Sequence, residues 1–275
     1  MSLRLKTPFN IMNNRIEEKF KELRRKNKKA LIAFITAGDP DLRMTHDLVL
    51  AIEKSGADII ELGVPFSDPL ADGPTIQASS FRALLKGASL KKILKLVKDL
   101  RQKTNIPIAL MTYYNPVFHY GDKRFVHDAV HCGVDGIIVP DLPPEEAGGL
   151  IGFAKEAGLA TVFFLAPTTT PLRVQKVVRA STGFVYFVSL TGVTGARKAV
   201  ADTLESKVRE AKRKTSVPIC VGFGVSTPQQ VKAISRFSDG VIVGSAIINE
   251  IQKSKSRKAA VLNVSRFIQQ LKKAM

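Results

Sequence analysis

Three carboxylates fall within twelve residues of a chain that is otherwise strongly basic: Glu61, Asp68 and Asp72, in a segment that three prolines stiffen. Glu61 directly follows Ile59 and Ile60, which places a carboxyl group in an apolar run. Burial there would raise the pKa of Glu61 toward the range used in acid–base catalysis. Two carboxylates in different environments can divide the roles of proton donor and acceptor, so the segment predicts a catalytic site. The alternative is a structural Glu61 that meets a lysine or a backbone donor.

A second segment, SLTGVTGA at residues 189–196, combines two glycines with three hydroxyl side chains and carries no charge. Glycine lets a backbone approach a ligand closely, and this composition is typical of a mobile lid over an active site. An ordinary surface loop is the alternative, because the segment alone is a weak signal.

Two glycine turns form a third feature, VGFGVS at residues 221–226 and VGS at residues 243–245. In barrels of parallel strands, the loops after the last two strands often bind phosphate through backbone N–H groups at a helix start. Ser245 adds a hydroxyl donor at such a start. The pair of turns therefore predicts a phosphate site, although each turn alone is equally typical of tight packing.

The elements that must position these residues are visible as eight short apolar runs, each continuous enough for a parallel strand buried on both faces. The runs cover residues 30–37, 58–63, 108–114, 135–139, 160–165, 184–189, 219–224 and 240–243. Segments with helical periodicity lie between them, for example at residues 48–54, 90–100, 145–157 and 227–234. Further helices are predicted at residues 14–29, where Asn14 is a plausible cap, and at 261–274.

This alternation predicts an α/β fold, a (β/α)8 TIM barrel, as a single domain over residues 1–275. An N-terminal extension and extra helix would occupy residues 1–29, and the barrel would occupy residues 30–275. A doubly wound open sheet is the competing architecture. The turn after the first run is TAGDP at residues 36–40, which lacks the GxGxxG pattern that often follows the first strand of such a sheet.

Composition and charge limit the possible function. Hydrophobic residues make up 45% of the 275, which excludes a wholly disordered basic chain. Lys and Arg number 42 against 24 Asp and Glu, and the net excess of +18 falls in residues 1–29, 85–103 and 249–275. Because these are predicted outer helices and termini, we interpret the charge as a solvated outer shell. No RRM, KH or zinc-finger pattern indicates specific binding of nucleic acid.

Cysteines and histidines predict no metal site. Cys132 and Cys220 are too few for a disulfide framework and lie in or beside apolar runs, as core thiols do. His119, His127 and His131 lack the pattern of zinc ligands. No apolar run approaches the roughly 20 residues of a membrane-spanning helix, and no secretory signal is recognisable. We therefore expect a cytoplasmic protein that contacts no membrane.

The three segments together closely resemble the tryptophan synthase α subunit family. The run ELGVPFSDPLADGP at residues 61–74 is highly specific for it, and VTG at 193–195 and GFG at 222–224 agree in order and spacing. The resemblance implies a (β/α)8 barrel and a carbon–carbon lyase that cleaves indole-3-glycerol phosphate to indole and glyceraldehyde 3-phosphate. It also implies an αββα complex for tryptophan biosynthesis, in which only the β subunit uses pyridoxal phosphate, to join indole to serine.

The resemblance further implies catalytic roles. Glu61 matches the general acid–base that protonates C3 of indole, and Asp72 matches the carboxylate that accepts a hydrogen bond from the indole N–H. Tyr186 matches a tyrosine beside Glu61, and Thr194 matches a lid threonine that bonds Asp72 on closure.

Binding positions are implied in the same way. Residues matching the walls around the indole ring are Phe34, Ile76 and Met111, the last at a position where some members carry Leu. Residues matching the phosphate site are Gly195, Phe223, Gly224, Gly244 and Ser245. Residues matching the face toward the β subunit are Asp68, Pro69, Asn115, Asp141 and Pro143.

Three other functions stay open from the sequence. The chain could be a free-standing lyase that releases indole without a β subunit, because the same residues would serve both reactions. It could be a non-catalytic activating partner, against which the intact Glu61, Asp72 and Thr194 argue. A basic nucleic-acid-binding protein is the alternative from another class, and it would show salt-dependent binding.

Overall fold

Parallel strands alternate with helices along the chain, as the apolar runs predict. The computed structural model describes residues 14–188, 197–222 and 224–275, and of residues 197–202 it describes the backbone alone. The strands are β1 Ala30–Thr36, β2 Ile59–Gly63, β3 Ile108–Met111, β4 Gly136–Ile138, β5 Ala160–Val162, β6 Phe164–Leu165, β7 Val185–Val188, β8 Ile219–Gly222 and β9 Gly240–Val243.

The sheet closes through β1, which pairs in parallel with β2 on one side and with β9 on the other. Parallel pairing then runs from β2 to β5 and from β9 back to β6. Residues 160–165, predicted as one strand, form two segments separated by Phe163, because β5 pairs with β4 whereas β6 pairs with β7. Side chains still alternate across this break, so β5 and β6 together fill one position of a nearly closed TIM barrel, and the predicted fold is confirmed.

Side chains along each strand alternate between two apolar cores. One core fills the interior of the barrel and includes Ile32, Ile59, Ala109 and Ile138. The other lies between the strands and the surrounding helices. Strands buried on both faces need apolar residues throughout, which explains the continuous runs in the sequence. Glu61 follows Ile59 by two residues and therefore faces the barrel interior.

The helices are α1 Arg15–Arg25, α2 Leu42–Lys54, α3 Pro74–Leu85, α4 Leu90–Leu100, α5 Tyr114–Tyr120, α6 Asp122–Cys132, α7 Gly148–Ala157, α8 Pro171–Ala180, α9 Arg197–Lys212, α10 Pro228–Ser235, α11 Ser245–Gln252 and α12 Arg257–Lys273. The predicted helix start at Asn14 is confirmed, because its side chain accepts a hydrogen bond from the N–H of Ile16. The helix predicted at 145–157 begins only at Gly148, and the one predicted at 261–274 begins earlier, at Arg257.

The amino end of the barrel is closed by α1. Its residues Ile16, Phe20 and Leu23 belong to the interior core. The Asn14 side-chain amide donates to the carbonyl of Asp135 at 2.7 Å, which fixes the start of α1 beneath β4. Because this end is closed, the opposite end, where the strands have their carboxyl termini, is left for a ligand.

Candidate active site

Glu61 is a buried carboxyl group at the carboxyl end of β2. Its neighbours in register are Phe34 on β1 and Ala109 on β3. Its side chain is 0% exposed, and neither carboxyl oxygen has a hydrogen-bond partner among the described residues. Burial, with a smaller contribution from the charge of Asp72, raises the pKa of Glu61 from 4.5 to about 8. Within the described ranges, the alternative of a structural glutamate paired with a lysine or a backbone donor is therefore wrong.

Asp72 lies in the loop between β2 and α3 and is half-buried. Burial raises the pKa of Asp72, and a hydrogen bond from the Tyr113 hydroxyl opposes that rise. Glu61 has neither this donor nor contact with solvent. The two carboxyl groups thus occupy different environments: near neutral pH Glu61 retains its proton, whereas Asp72 has a donor that favours its charged form. Such a pair can supply a proton at one atom and stabilise positive charge at another.

Tyr113 is a site residue that the sequence analysis did not single out. It follows β3, is 3% exposed and stacks on Phe66 with ring centroids 5.3 Å apart. Its hydroxyl accepts a hydrogen bond from the N–H of Ala71 at 2.8 Å. Burial is the main reason that the pKa of Tyr113 rises to about 12, with Asp72 contributing. Its position one strand away from Glu61, at the same end of the barrel, is the signal that could have identified it.

Aromatic and apolar side chains surround the mouth of the barrel above Glu61. Met111 at the end of β3 stands opposite Gly63, and Tyr186 of β7 faces the interior. The ring of Phe34 lies so close to Gly63 that a Cβ there would approach its Cζ to 2.6 Å. Burial, and then the neighbouring Glu61, raises the pKa of Tyr186 well above its usual range. These residues form a wall suited to a flat aromatic ligand, and α3 carries Ile76 in its first turn after Asp72.

The predicted phosphate turn after β9 is the start of α11. Gly244 is the residue that caps this helix, Ser245 is its first residue, and no side chain accepts from its first N–H groups within the described structure. A Cβ on Gly244 would lie 3.1 Å from the Phe34 ring, so the turn borders the aromatic wall. Backbone N–H groups at a helix start can bind an anion here. Gly224 has a φ of 72°, which favours glycine.

Several predicted positions lie outside the described residues. They are Thr194 and Gly195 of the predicted lid and Phe223 of the turn after β8. The structure does describe both flanks of that turn, since β8 ends at Gly222 and Gly224 follows the omitted residue.

The residues predicted to face a partner lie on the rim of the same barrel end, apart from the buried group. Asp68 and Asn115 are exposed, whereas Pro69 and Pro143 are half-buried. Asp141 accepts a hydrogen bond from the N–H of Tyr114 at 2.9 Å, which joins the loop after β4 to the start of α5. Large apolar side chains accompany them: Leu70 is 85% exposed and Phe118 68% exposed. Exposed apolar groups rimmed by polar ones are typical of a protein interface.

Two further structural features concern metals and membranes. Among residues 14–188, 197–222 and 224–275, no three His, Cys, Asp or Glu side chains gather in a way that could hold a metal ion. No helix in these ranges is long and apolar enough to cross a membrane.

Comparison with known proteins agrees with the resemblance seen in the sequence. Residues 20–275 match the family described as Tryptophan synthase alpha chain. The tryptophan synthase alpha chain of Geotalea daltonii is 52% identical over 244 residues, which cover 89% of this chain and 92% of that relative. The corresponding chain of Caldanaerobacter subterraneus is 47% identical over 262 residues, 95% of this chain and 100% of that relative.

Solved structures give the same result. The tryptophan synthase subunit alpha from Legionella pneumophila superposes with a TM-score of 0.88 at 36% identity, covering 95% of this chain and 98% of that chain. A chain of the tryptophan synthase complex from Pyrococcus furiosus superposes with a TM-score of 0.79 at 41% identity, covering 88% and 97%. The family match covers residues 20–275, and the matches to these relatives cover nearly their whole length. This chain therefore belongs to the tryptophan synthase alpha chain family, a family of enzymes of tryptophan biosynthesis.

Proposed function

We propose that this chain is the α subunit of tryptophan synthase and that it cleaves indole-3-glycerol phosphate to indole and glyceraldehyde 3-phosphate, as a carbon–carbon lyase. The observation that carries the proposal is Glu61, a fully buried carboxyl group with no hydrogen-bond partner among the described residues and a pKa near 8. An unpaired buried polar group costs free energy, which is expected where function requires it.

The first step needs a proton donor, because the indole ring can accept the electron pair of the breaking carbon–carbon bond only after C3 is protonated. The protonated Glu61 gives its proton to C3, which places positive charge on N1 of the ring. Asp72 accepts a hydrogen bond from the N1–H and stabilises that charge. Tyr186 lies beside Glu61 and adds bulk to the wall that excludes water, and Thr194 bonds Asp72 when the lid closes.

The second step breaks the carbon–carbon bond. The Glu61 carboxylate removes the proton from the glycerol hydroxyl on the carbon attached to C3. That oxygen forms the aldehyde C=O while the bonding pair returns to the ring and neutralises N1, which releases indole and glyceraldehyde 3-phosphate. The proton that Glu61 gave to C3 is replaced by the one it takes from the hydroxyl, so the residue is regenerated. Neither step calls for a metal or an organic cofactor in this chain.

Substrate binding divides between two ends of the site. Phe34, Ile76 and Met111 hold the indole ring. The backbone N–H groups of the glycine turns and the start of α11 hold the phosphate, with the residues Gly195, Phe223, Gly224, Gly244 and Ser245.

The partner is a tryptophan synthase β subunit in an αββα assembly, and pyridoxal phosphate belongs to that subunit. The contact face is built from Asp68, Pro69, Asn115, Asp141 and Pro143, and the exposed Leu70 and Phe118 supply apolar area beside them. We place the complex in the cytoplasm, with the chain as one domain over residues 1–275 and no specific nucleic acid or membrane as partner.

The test is an indole-release assay on the wild type and Glu61→Gln, each with and without a β subunit. We expect the variant to bind substrate but to lose about 10²- to 10⁴-fold in turnover, the usual contribution of a general acid–base. Glu156→Gln, at an exposed position of α7, is the matched control and should retain wild-type turnover. Wild-type turnover in Glu61→Gln would remove Glu61 from its role.

The β-subunit arm separates the remaining alternatives. A rate that rises on addition of β supports the α-subunit function, and an unchanged high rate would indicate a free-standing lyase. No indole release by the wild type in either arm would indicate a non-catalytic partner.

A further inference from the structure

Two short helices lie together over β1 at the end of the barrel that holds the site. Helix α3 begins two residues after Asp72 and carries Ile76, and helix α11 begins at Ser245. Both helices contact β1, and they contact each other. The helix that follows the Asp72 loop and the helix that begins at the proposed phosphate turn are therefore neighbours on the same strand.

Arg82 of α3 joins these helices to the end of β1. Its Nε donates to Oδ1 of Asp39 at 2.8 Å and its Nη2 donates to Oδ2 at 2.6 Å. Asp39 is only 4% exposed, so the ion pair satisfies a buried carboxylate. When the amide oxygen of Gln252 faces the guanidinium, it accepts from Nη1 of Arg82 at 2.9 Å and also from Nη2. One planar guanidinium thus holds the loop after β1, α3 and α11 at once.

A second contact fixes α3 on β1 near its start. The hydroxyl groups of Thr36 and Ser79 lie 2.6 Å apart in a buried position. Ser79 donates to the carbonyl of Ile76 at 2.8 Å, so Thr36 is the donor to Ser79. This contact holds α3 to the barrel, but α11 has no share in it. Arg82 is the described side chain that spans from α3 to α11 while also bonding the barrel.

We propose that Arg82 is a positioning residue that fixes the distance between the indole end and the phosphate end of the site. The proposal rests on the proposed function, which places indole beside Asp72 and phosphate at Ser245. A bidentate, planar arginine fixes orientation in a way that a lysine point charge does not. A ligand that spans two subsites gains affinity only when their separation matches its length, so Arg82 should matter for the linked ligand and not for its separate parts.

The experiment compares three probes: glycerol 3-phosphate, indole, and an indole that carries a three-carbon chain ending in phosphate. Dissociation constants are measured on the α–β complex for the wild type, Arg82→Ala and Arg82→Lys. We expect Arg82→Ala to raise the dissociation constant of the linked probe by about tenfold or more, because small misplacements of a bound group are costly. Each separate fragment should stay within about twofold of its wild-type affinity. Arg82→Lys should fall between the two, because it keeps the charge but loses the fork.

Arg257→Ala is the matched control. Arg257 is 36% exposed, as against 37% for Arg82, and it also binds an aspartate, Asp47, through two nitrogens and joins two helices, α12 and α2. Its hydrogen bonds within the described structure go to Asp47 and to the carbonyl of Arg43, both on α2. Its loss should leave the affinity for all three probes unchanged. If Arg82→Ala fails to fold, Gln252→Ala replaces it, because this variant leaves the Arg82–Asp39 pair intact. It should lower the affinity for the linked probe and leave the affinity for each fragment unchanged.

The possible outcomes distinguish failure of the Arg82 role from failure of the proposed function. If the wild type binds the linked probe no tighter than the fragments, the two subsites are misplaced and both proposals fall. If the wild type prefers the linked probe and the Arg82 variants keep that preference, only the role of Arg82 is overturned. If an Arg82 variant loses as much affinity for one fragment as for the linked probe, Arg82 supports a single subsite rather than the distance between the two. That result also overturns the proposal.

Discussion

The carboxyl group of Glu61 should make the stability of the chain depend on pH, and Glu61→Gln should remove that dependence. Burial and the charge of Asp72 raise the pKa of Glu61 from 4.5 to about 8 in the folded chain. Each unit of pKa corresponds to about 1.4 kcal/mol of preference for the protonated form. The side chain is 0% exposed, so solvent does not screen this difference. The full shift then corresponds to about 5 kcal/mol.

The folded and unfolded chains bind different numbers of protons at Glu61 over part of the pH range, and this difference sets the direction of the stability change. Between pH 4.5 and about 8, folded Glu61 keeps a proton that the unfolded chain has given up. The folded state therefore loses stability as the pH rises through this window, by about 1.4 kcal/mol per unit. Below pH 4.5 both states are protonated and above about 8 both are ionised, so the contribution is constant there. Gln has no proton to lose, so Glu61→Gln should gain about 5 kcal/mol in unfolding free energy relative to the wild type as the pH rises from 4.5 to about 8.

Urea unfolding of both proteins at pH 5, 6.5 and 8 measures this difference. Glu156→Gln, which removes an exposed carboxylate on α7, controls for the loss of one negative charge. A difference infrared spectrum between the wild type and Glu61→Gln gives a direct reading, because the band of a protonated carboxyl should disappear with a midpoint near pH 8. A difference in unfolding free energy that stays constant from pH 5 to 8, with no such band at pH 6, would refute the reasoning.

Three further predictions use other contacts. Asp72→Asn should lower lyase turnover by about two orders of magnitude or more, as loss of one charge-stabilising group does; a change seen only in KM would contradict charge stabilisation. Tyr113→Phe keeps the stacked ring but removes the acceptor for the Ala71 N–H, so turnover should fall by about tenfold while urea unfolding shifts little; unchanged turnover would exclude Tyr113 from positioning the loop. Arg101→Ala breaks the buried pair with Asp135 at 2.8 Å but leaves Asp135 bonded to Arg15, so it should cost about 1–3 kcal/mol in urea unfolding; a loss below about 0.5 kcal/mol would show that the pair is dispensable.

The barrel itself was predictable because its strands are buried on both faces. Continuous apolar runs mark such strands whether or not the exact pairing is known. The break at Phe163 could not be predicted, because Val162, Phe163 and Phe164 keep the ordinary alternation while their hydrogen-bond partners change from one neighbouring strand to the other. Pairing is set by the closure of the barrel, and the period of a single segment carries no information about it.

Helix α3 is not among the segments that helical periodicity marks, for a different reason. Phe81 and Leu85 on this helix are 63% and 70% exposed, so its apolar residues do not mark one buried face. Helical periodicity detects a helix through the contrast between a buried and a solvated side, and α3 lacks that contrast. The proline at its first position is the local signal that remains, and it indicates a helix start without indicating length.

Some features of the candidate site depend on residues close together in the sequence, and others depend on contacts between distant residues. Glu61 and Asp72 are recognisable as candidate site residues because a carboxyl group in an apolar strand, followed by a second acid in a stiff loop, is visible within twelve residues of sequence. The contact between Arg82 and Asp39 joins residues 43 positions apart and depends on how α3 folds back over β1. Tyr113 reaches Ala71 across 42 positions, and its hydroxyl could equally have pointed into the core.

The distribution of charge is consistent with a protonated Glu61 in so basic a chain. A nearby Lys or Arg would favour the carboxylate and lower the pKa of Glu61. The basic excess of +18 lies in residues 1–29, 85–103 and 249–275, which include α1 at the closed amino end of the barrel and the outer helices α4 and α12. Among the described residues no cation bonds Glu61, and the charge that acts on its pKa is the negative one of Asp72. The proton on Glu61 near neutral pH is thus a consequence of burial first and of the negative charge of Asp72 second, with no cation among the described residues bonded to Glu61.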